Sequence, residues 1–421
     1  MTALSKPMAE RRPRALVRRS RPLAAWLFAV ALFGYPLVGA LISFLQIDSR
    51  TLSIPFRLLV AGAGFVLLAR SSWPRAGGAR TLLMLVWATY TLRLLYDTFV
   101  AGVESADYAL MFFVAGSLVP ALALLASSSW NQARFARISL ALSITACAAI
   151  LLGTLRGQFG DSDLTEATGR LTVVALNPIS LGNLGVSAIL CAVVLWRSVA
   201  THRRMLLTLA IGLALVTVVA TGSKGPALAL MVCLVAWSLR RMSTRWWLVG
   251  LALPLGVLVL ASGDSALTER ISASAEDLST LDRVVLIQNS LTQIAEAPIF
   301  GSSFVERESG YYPHNLLLEA ALALGIPMAA LFAVLLVVGA RRAWQTLGSL
   351  DEDLLGMLYL QAIVEGAVSG AMFGATMLWI TLALLFRARP GLRARAAPAR
   401  LIPPGDGGLS GDDGLAPRSS S

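Results

Sequence analysis

Apolar runs of about twenty residues recur along almost the whole chain, separated by short polar segments. A run of this length can cross the hydrocarbon core of a bilayer as a single helix, because a helix rises 1.5 Å per residue. The pattern predicts an all-α, polytopic integral membrane protein with about 12 transmembrane helices. The predicted spans are 23–45, 52–69, 81–100, 107–126, 138–155, 178–196, 205–221, 225–239, 246–262, 313–339, 354–369 and 371–386.

Composition supports a membrane protein and excludes several other classes. Of the 421 residues, 56% are hydrophobic and only 14% are charged, which is unlike a soluble protein. The net charge of +11 does not indicate nucleic-acid binding, because the arginines lie between apolar runs and in the two tails, without interleaved aromatic residues. The three cysteines all lie in apolar segments without paired spacing, so neither a disulfide framework nor a metal site is implied.

The arginines predict the orientation of the chain. Cytoplasmic loops of membrane proteins are enriched in arginine and lysine. The arginine-rich segments alternate with the spans so that they fall on one side: 11–21, 70–80, 134–137, 197–204, 240–245, 341–342 and 387–400. Both termini are therefore predicted to be cytoplasmic, with a basic tail at 1–22, a membrane domain at 23–386 and a disordered tail at 387–421 that is rich in Pro, Gly, Arg and Ser. The first apolar run is too long for a cleaved signal and is retained as an anchor.

This orientation makes residues 263–312 a long extracytoplasmic loop between helices 9 and 10, and we expect function to lie there. Within the loop, apolar residues recur at helical spacing from Val284 to Ile294, and Pro298 ends the pattern. The prediction is a helix that lies on the outer membrane face.

Several charged residues fall inside the predicted spans, all in the outer half of the bilayer. A charge near the centre of a membrane costs from about 2.5 kcal/mol upward, so such residues usually face a polar cavity and have partners. For any one of them the alternative is snorkelling to the interface or a structural ion pair, such as Arg93 with Asp97 at i,i+4 spacing. For the whole set a shared outward-facing cavity is the better explanation. The set is Arg57, Arg93, Asp97, Lys224, Glu319 and Glu365.

Two of the candidate functional residues lie in distinctive local sequences. Lys224 lies in the small-residue turn 221–225, Thr-Gly-Ser-Lys-Gly, where an ammonium near free backbone N–H groups suits a phosphate. The alternative is a lysine at the level of the lipid headgroups. His314, one of only two histidines, stands where the long loop enters a span. It is either a general base or a helix-cap or interface histidine.

The motifs together resemble the bacterial O-antigen ligase and O-antigen polymerase superfamily. The residues that carry the resemblance are Ser223-Lys224-Gly225, Arg283, Pro298-Ile299-Phe300-Gly301 and Pro313-His314-Asn315, with Glu319 and Gly325 behind them. The family usually has arginine at the position of Lys224, so the charge is kept but the bidentate fork for phosphate is lost.

The resemblance implies a glycosyltransferase that moves or polymerises an undecaprenyl-diphosphate-linked glycan onto a lipid or polysaccharide acceptor. It would act at the outer face of the bacterial inner (cytoplasmic) membrane, in the biosynthesis of a surface polysaccharide such as lipopolysaccharide. The expected catalytic residues are His314 and Arg283. The expected substrate-binding residues are Lys224, Arg93, Asn315 and Glu319. For Asn315 and Glu319 the alternative is a structural role at the start of span ten. No cofactor, metal or nucleic-acid partner is expected.

Two alternatives stay open at this point. A secondary transporter or flippase of the cell envelope would also have about twelve spans and an outward cavity, although the chain shows no convincing six-plus-six repeat. Within the enzyme class, a protein O-glycosyltransferase would share the donor and differ only in its acceptor.

Overall fold

A computed structural model of the protein describes residues 22–71, 73, 77–127, 131–157, 171, 176–241, 278–349 and 351–387. Within these residues every regular secondary-structure element of more than one residue is a helix. In chain order they are α1 (Pro22–Phe33), α2 (Tyr35–Leu45), α3 (Ser49–Ala69), α4 (Gly78–Phe99), α5 (Ala106–Met111), a π-helical segment (Phe112–Leu118), α6 (Val119–Ala126), α7 (Gln132–Leu155), α8 (Pro178–Leu195), α9 (Thr201–Ala220), α10 (Lys224–Arg241), α11 (Leu278–Glu296), α12 (Leu316–Leu324), α13 (Ile326–Thr346), α14 (Asp353–Ser369) and α15 (Thr376–Phe386).

Three of the sequence predictions fall wholly or largely outside the described residues. These are the two tails, apart from Pro22 and Arg387, the span at 246–262, and the first part of the long loop, up to residue 277.

The described helices confirm a polytopic membrane protein. Six of them are long and apolar enough to cross a membrane, or seven if the bent pair α1 and α2 counts as one span. The six are α3, the continuous Ala106–Ala126 helix, α7, α8, α9 and α13. The other predicted spans within the described residues coincide with α4, α10, α14 and α15, which are shorter or carry more polar residues. The number of spans that the described helices support is therefore lower than the twelve predicted.

The first predicted span, 23–45, is bent by 48° at the junction of α1 and α2. A Cβ atom on Gly34 would lie 2.6 Å from the carbonyl oxygen of Val30 and 2.9 Å from the ring of Phe56 on α3, so only glycine fits there without rearrangement. Pro36 in the first turn of α2 lacks the N–H that would continue the helix across the bend. The bend places Tyr35 next to α3.

Helix α8 is the most buried of the candidate spans, and its contacts position the neighbouring helices. Its small residues let other backbones come close, as in many membrane-helix interfaces. A Cβ atom on Gly185 would lie 2.8 Å from the carbonyl oxygen of Ala214 on α9, and one on Gly182 would lie 2.7 Å from the ring of Pro226 on α10. The side chain of Gln361 on α14 accepts a hydrogen bond from Ser187 Oγ at 2.9 Å. Helix α8 therefore fixes the beginning of α10 and the middle of α14.

The segment predicted as one span at 313–339 is two helices, and the prediction of a continuous helix there was wrong. Gly325 has a φ of +83° and ends α12, and Pro327 opens α13. A Cβ on Gly325 would collide with the backbone of Ile299, which accounts for the glycine. The Ile326 N–H donates to the carbonyl oxygen of Pro298 at 2.8 Å. The break is therefore filled by the Pro298–Gly301 element of the preceding loop.

The helix predicted within the loop is present as α11, which ends before Pro298 as expected. The chain that follows folds back on it. Gln293 Nε2 donates to Ser302 Oγ at 2.8 Å, and the Arg307 N–H donates to Gln293 Oε1 at 3.0 Å. This part of the loop is thus an ordered structure that carries its residues to fixed positions at the start of α12.

Candidate active site

The last turn of α14 is where three of the predicted site elements meet. The final carbonyl groups of a helix have no partner within the helix and carry partial negative charge, so they attract donors and cations. Arg283 Nη1 donates to the carbonyl oxygen of Val368, at a long 3.5 Å, and Asn315 Nδ2 donates to that of Ala367 at 3.0 Å. His314 lies against the backbone of Ser369. The sequence did not single out this turn, and its only signal there is the small-residue run 366–370.

The turn before α10 reaches the same place. Gly222 has a φ of +56°, which turns the chain sharply between α9 and α10. The buried Ser223 hydroxyl donates to the carbonyl oxygen of Thr221 at 3.3 Å, and Lys224, the first residue of α10, is exposed. A Cβ atom on Gly225 would lie 3.7 Å from the side chain of Val368. The Ser223-Lys224-Gly225 motif therefore adjoins the turn that holds Arg283.

His314 has the surroundings of a neutral imidazole. Its φ of +53° lies in the left-handed region, its ring is half-buried, and the ring centroid lies 4.4 Å from that of Tyr312. Its Nδ1 atom is buried and makes no hydrogen bond within the described part of the chain. Burial lowers the pKa of His314, and the positive charge of Arg283 lowers it further, while the backbone of Ser369 acts in the opposite direction. A histidine that is neutral near pH 7 can accept a proton.

Asn315 fixes the position of His314. Its Oδ1 atom accepts hydrogen bonds from the backbone N–H groups of Leu317 at 3.0 Å and Leu318 at 3.1 Å, so it is the N-cap of α12. Its Nδ2 atom simultaneously binds the end of α14. One side chain thus joins two helix ends directly beside the histidine.

Glu319 lies one turn further into α12 and is fully buried. The hydroxyl of Tyr90 on α4 donates to its Oε1 atom at 2.8 Å, and the N–H of Met372 donates to its Oε2 atom at 2.8 Å. The carboxyl group therefore ties α12 to α4 and to the segment between α14 and α15. Both carboxylate oxygens accept hydrogen bonds from protein donors, which fits a positioning role.

Arg93 lies in a separate cluster on α4. It forms an ion pair with Asp97 at 2.9 Å, the alternative that the i,i+4 spacing suggested. Asp97 is fully buried and also accepts a hydrogen bond from the N–H of Phe304 at 3.1 Å. Among the described residues, the polar contacts of Arg93 are with Asp97, and its guanidinium lies 5.3 Å from the ring of Tyr96. The pair anchors the end of the loop to α4.

A cavity of about 460 Å³ lies beside the last turn of α14. Ser369 and Tyr312 line it, so it adjoins the neighbourhood of His314. Two of the six charged residues that the sequence predicted to share a cavity, Arg57 and Glu365, also line it. The other four do not: Arg93, Asp97, Lys224 and Glu319. The shared cavity is thus found for part of the predicted set.

Comparison with known protein families gives one finding that bears on this site. Residues 209–333 match the family model described as O-Antigen ligase. The matched segment contains the turn with Lys224, Arg283, the Pro298–Gly301 element and the segment from His314 to Glu319. A comparison with curated proteins gives no match.

Proposed function

We propose that this protein, whose residues 209–333 match the O-antigen ligase family model, transfers an undecaprenyl-diphosphate-linked glycan to an acceptor. In general terms the domain and the apolar helices support a membrane glycan ligase or polymerase. The observation that carries the finer proposal is the meeting of Arg283, His314 and the turn of Lys224 at one end of α14.

The proposed reaction breaks the bond between the first sugar of the donor and its diphosphate. An acceptor hydroxyl attacks the anomeric carbon, a new glycosidic bond forms, and the diphosphate leaves with the bonding electrons. Negative charge builds on the leaving group, so fixed cations stabilise the transition state more than the ground state. We assign that role to Arg283 and Lys224. Arg283 is oriented for it by Val368.

His314 accepts the proton of the acceptor hydroxyl in this proposal. Its lowered pKa keeps the ring neutral, and its buried Nδ1 atom has no other hydrogen bond in the described chain. The nearby charge of Arg283 serves two purposes, because it holds the leaving group and also disfavours premature protonation of the base. Asn315 and Glu319 position the histidine through the start of α12. Arg93 forms an ion pair with Asp97, so it would contact the substrate only if its guanidinium also extended past that carboxylate.

The proposed membrane topology has twelve spans, both termini in the cytoplasm, and residues 263–312 on the outer face of the bacterial inner membrane. The arginine bias of the sequence supports it. It places His314 where a lipid-linked glycan can reach it from the outer leaflet. The acceptor is a lipid or a polysaccharide, and a protein acceptor is the alternative that an assay separates.

The test is transfer by the purified protein in lipid nanodiscs with an undecaprenyl-diphosphate-linked glycan and defined lipid, glycan and peptide acceptors. Loss of a general base typically lowers the rate by about 10²- to 10⁴-fold. We therefore expect His314→Ala and His314→Gln to lose turnover while donor binding is unchanged. Glutamine keeps hydrogen bonding but cannot take up a proton at neutral pH. Wild-type turnover in His314→Gln would show that His314 is not the base.

A further inference from the structure

The cavity beside the last turn of α14 contains a buried arginine that the proposed reaction does not use. Arg57, on α3, is 4% exposed and lines the cavity together with Asn183, Tyr312 and Glu365. The cations assigned to the leaving diphosphate, Arg283 and Lys224, do not line it. The cavity therefore lies next to the reaction site without being part of the diphosphate site.

The guanidinium of Arg57 is surrounded by aromatic rings. Its central carbon lies 4.0 Å from the ring centroid of Phe112, 4.7 Å from that of Tyr35 and 5.7 Å from that of Tyr108. Nη2 donates to the hydroxyl of Tyr108 at a long 3.5 Å, and the buried Nη1 has no hydrogen-bond partner within the described residues. No carboxylate of the described chain is within ion-pair distance of it. The three aromatic faces and the hydroxyl groups of Tyr35 and Tyr108 offset part of the cost of burying this cation, and an anionic ligand would supply the charge partner that the described chain does not.

The protein makes room beside this arginine. The π-helical segment Phe112–Leu118 widens the helix at this point, and π-helical turns are frequent at functional sites. Gly116 lies within the segment and lines the cavity, and a Cβ atom on it would lie 3.9 Å from Arg57 Cδ. The segment is held in place by a hydrogen bond of 2.8 Å between Ser117 Oγ and Thr376 Oγ1 on α15. The widened helix thus leaves space at the guanidinium.

The rest of the wall suits a sugar. Asn183 is 5% exposed in the second turn of α8, and its side-chain amide is within hydrogen-bonding reach of the carboxyl group of Glu365. Glu365 lies beside it and provides a second group for hydroxyls. Tyr312, whose ring packs against His314, lines the cavity next to the proposed base. Aromatic faces with a few polar groups are a common lining of small-molecule sites.

We propose that this cavity binds a sugar of the acceptor that carries an anionic group, a phosphate or a carboxylate, and that Arg57 binds that group. The identification of the sugar as the acceptor rests on the proposed function, in which Arg283 and Lys224 hold the diphosphate of the donor. Tyr312 lines the cavity and packs against His314, whereas neither of those two cations lines it. The bound acceptor would then present a hydroxyl to His314 from the cavity side.

The first experiment measures binding to the purified full-length protein by isothermal titration calorimetry, with glucose 6-phosphate, glucuronate and uncharged glucose as probes. We expect both charged sugars to bind about 10- to 100-fold more tightly than glucose, because a guanidinium forms strong, charge-assisted hydrogen bonds with anions. Arg57→Met should remove this preference. Arg50→Met is the matched control, because Arg50 lies on the same helix but is exposed, and it should bind all three sugars like the wild type. Equal binding of charged and neutral sugars by the wild type would overturn the proposal.

A thermal unfolding measurement distinguishes a binding role of Arg57 from a structural one. Replacing a buried cation that lacks an ion-pair partner by an apolar side chain of similar volume is often neutral or stabilising. Arg57→Met should therefore unfold at or above the temperature of the wild type in the absence of sugar. A variant that unfolds at a much lower temperature would show that the arginine supports the fold, and the proposal would be wrong. Arg57→Lys, which keeps the charge but loses the planar fork, should show an intermediate preference for charged sugars.

Kinetics identify which substrate carries the anion. With an acidic acceptor, Arg57→Met should raise the KM for the acceptor about tenfold or more and leave the KM for the lipid-linked donor unchanged. A rise confined to the donor KM would overturn the assignment to the acceptor. If the wild type binds charged sugars through Arg57 but catalyses no transfer, the anion site stands and the proposed function fails.

Discussion

Substitution of Asn315 by alanine tests whether the start of α12 positions the proposed base. The change removes two hydrogen bonds that cap α12, from the N–H groups of Leu317 and Leu318, and the hydrogen bond from Asn315 Nδ2 to the carbonyl oxygen of Ala367. His314 precedes this residue and holds a left-handed backbone conformation at a φ of +53°. Without the tie to α14, the histidine loses one of the contacts that keep it at the end of that helix.

The magnitude follows from those three hydrogen bonds. Loss of an N-cap side chain costs about 0.5–2 kcal/mol, and loss of one further hydrogen bond costs about 0.5–1.5 kcal/mol. The total of about 1–3.5 kcal/mol is the free energy by which we expect the catalytic arrangement to be destabilised relative to others. Each 1.36 kcal/mol corresponds to a tenfold change in rate, so turnover should fall by between about fivefold and a few hundredfold.

The assay combines thermal unfolding in nanodiscs with the initial rate of glycan transfer at saturating substrates. Asn131→Ala is the matched control, because Asn131 caps α7 by accepting a hydrogen bond from the N–H of Arg134 at 2.8 Å, away from His314. It should lower stability by a similar cap energy and leave turnover unchanged. Asn315→Asp keeps the two accepting bonds but places an oxygen against the carbonyl of Ala367. It should keep most of the stability and lose turnover.

The reasoning would be refuted if Asn315→Ala were destabilised like Asn131→Ala and turned over substrate like the wild type. That result would show that the cap contributes to folding only. Full activity of the Asn315→Asp variant would exclude only one contact, the hydrogen bond to Ala367, as the one that positions His314.

Three further predictions concern the charges, the base and the topology. Lys224→Ala and Arg283→Ala should each abolish transfer with normal membrane insertion, whereas Lys224→Arg should stay active because the charge remains; full activity of Lys224→Ala would remove it from the site. The lowered pKa of His314 should place the acid limb of kcat/KM below pH 6.5, and the folded state should lose stability as the pH falls below 6.5, since the unfolded chain then binds the proton more readily. An NMR titration of His314 in a His202→Gln background should show its pKa rise in Arg283→Met, and an unchanged pKa would exclude the influence of Arg283. A cysteine at Ser309, in a background without native cysteines, should react with an impermeant maleimide in intact cells; labelling only after lysis would reverse the topology.

Much of the candidate site could be predicted from local sequence. The helix α11 follows from apolar spacing ended by Pro298. A structural role of Asn315 at the start of its span was one of the two readings of the sequence, and the structure gives it that role as the N-cap of α12. The ion pair of Arg93 with Asp97 follows from their i,i+4 spacing. Each of these depends on residues within about one or two turns of each other.

Other features depend on contacts between distant segments, and sequence patterns did not reveal them. The break at Gly325 is set by the backbone of Ile299, which comes from the preceding loop. Apart from His314, Asn315 and Glu319 near its beginning, the 313–339 segment is apolar, so hydropathy alone predicted one helix. The hydrogen-bond partners of Glu319 come from α4 and from the segment after α14. The position of Glu319 early in a predicted span therefore could not show whether it binds substrate or joins buried parts of the protein.

By itself, the sequence determined the class of protein, its apolar helices and the residue types available for chemistry, because bilayer thickness and helix geometry constrain hydropathy directly. Only the tertiary structure decided which of those residues meet. The last turn of α14 collects Arg283, His314 and Asn315 because its unpaired carbonyl groups need donors, and chain positions some fifty to eighty-five residues away supply them. Packing likewise brought Arg57 and Asn183 into one cavity from helices far apart in the chain, a pairing that no local periodicity encodes.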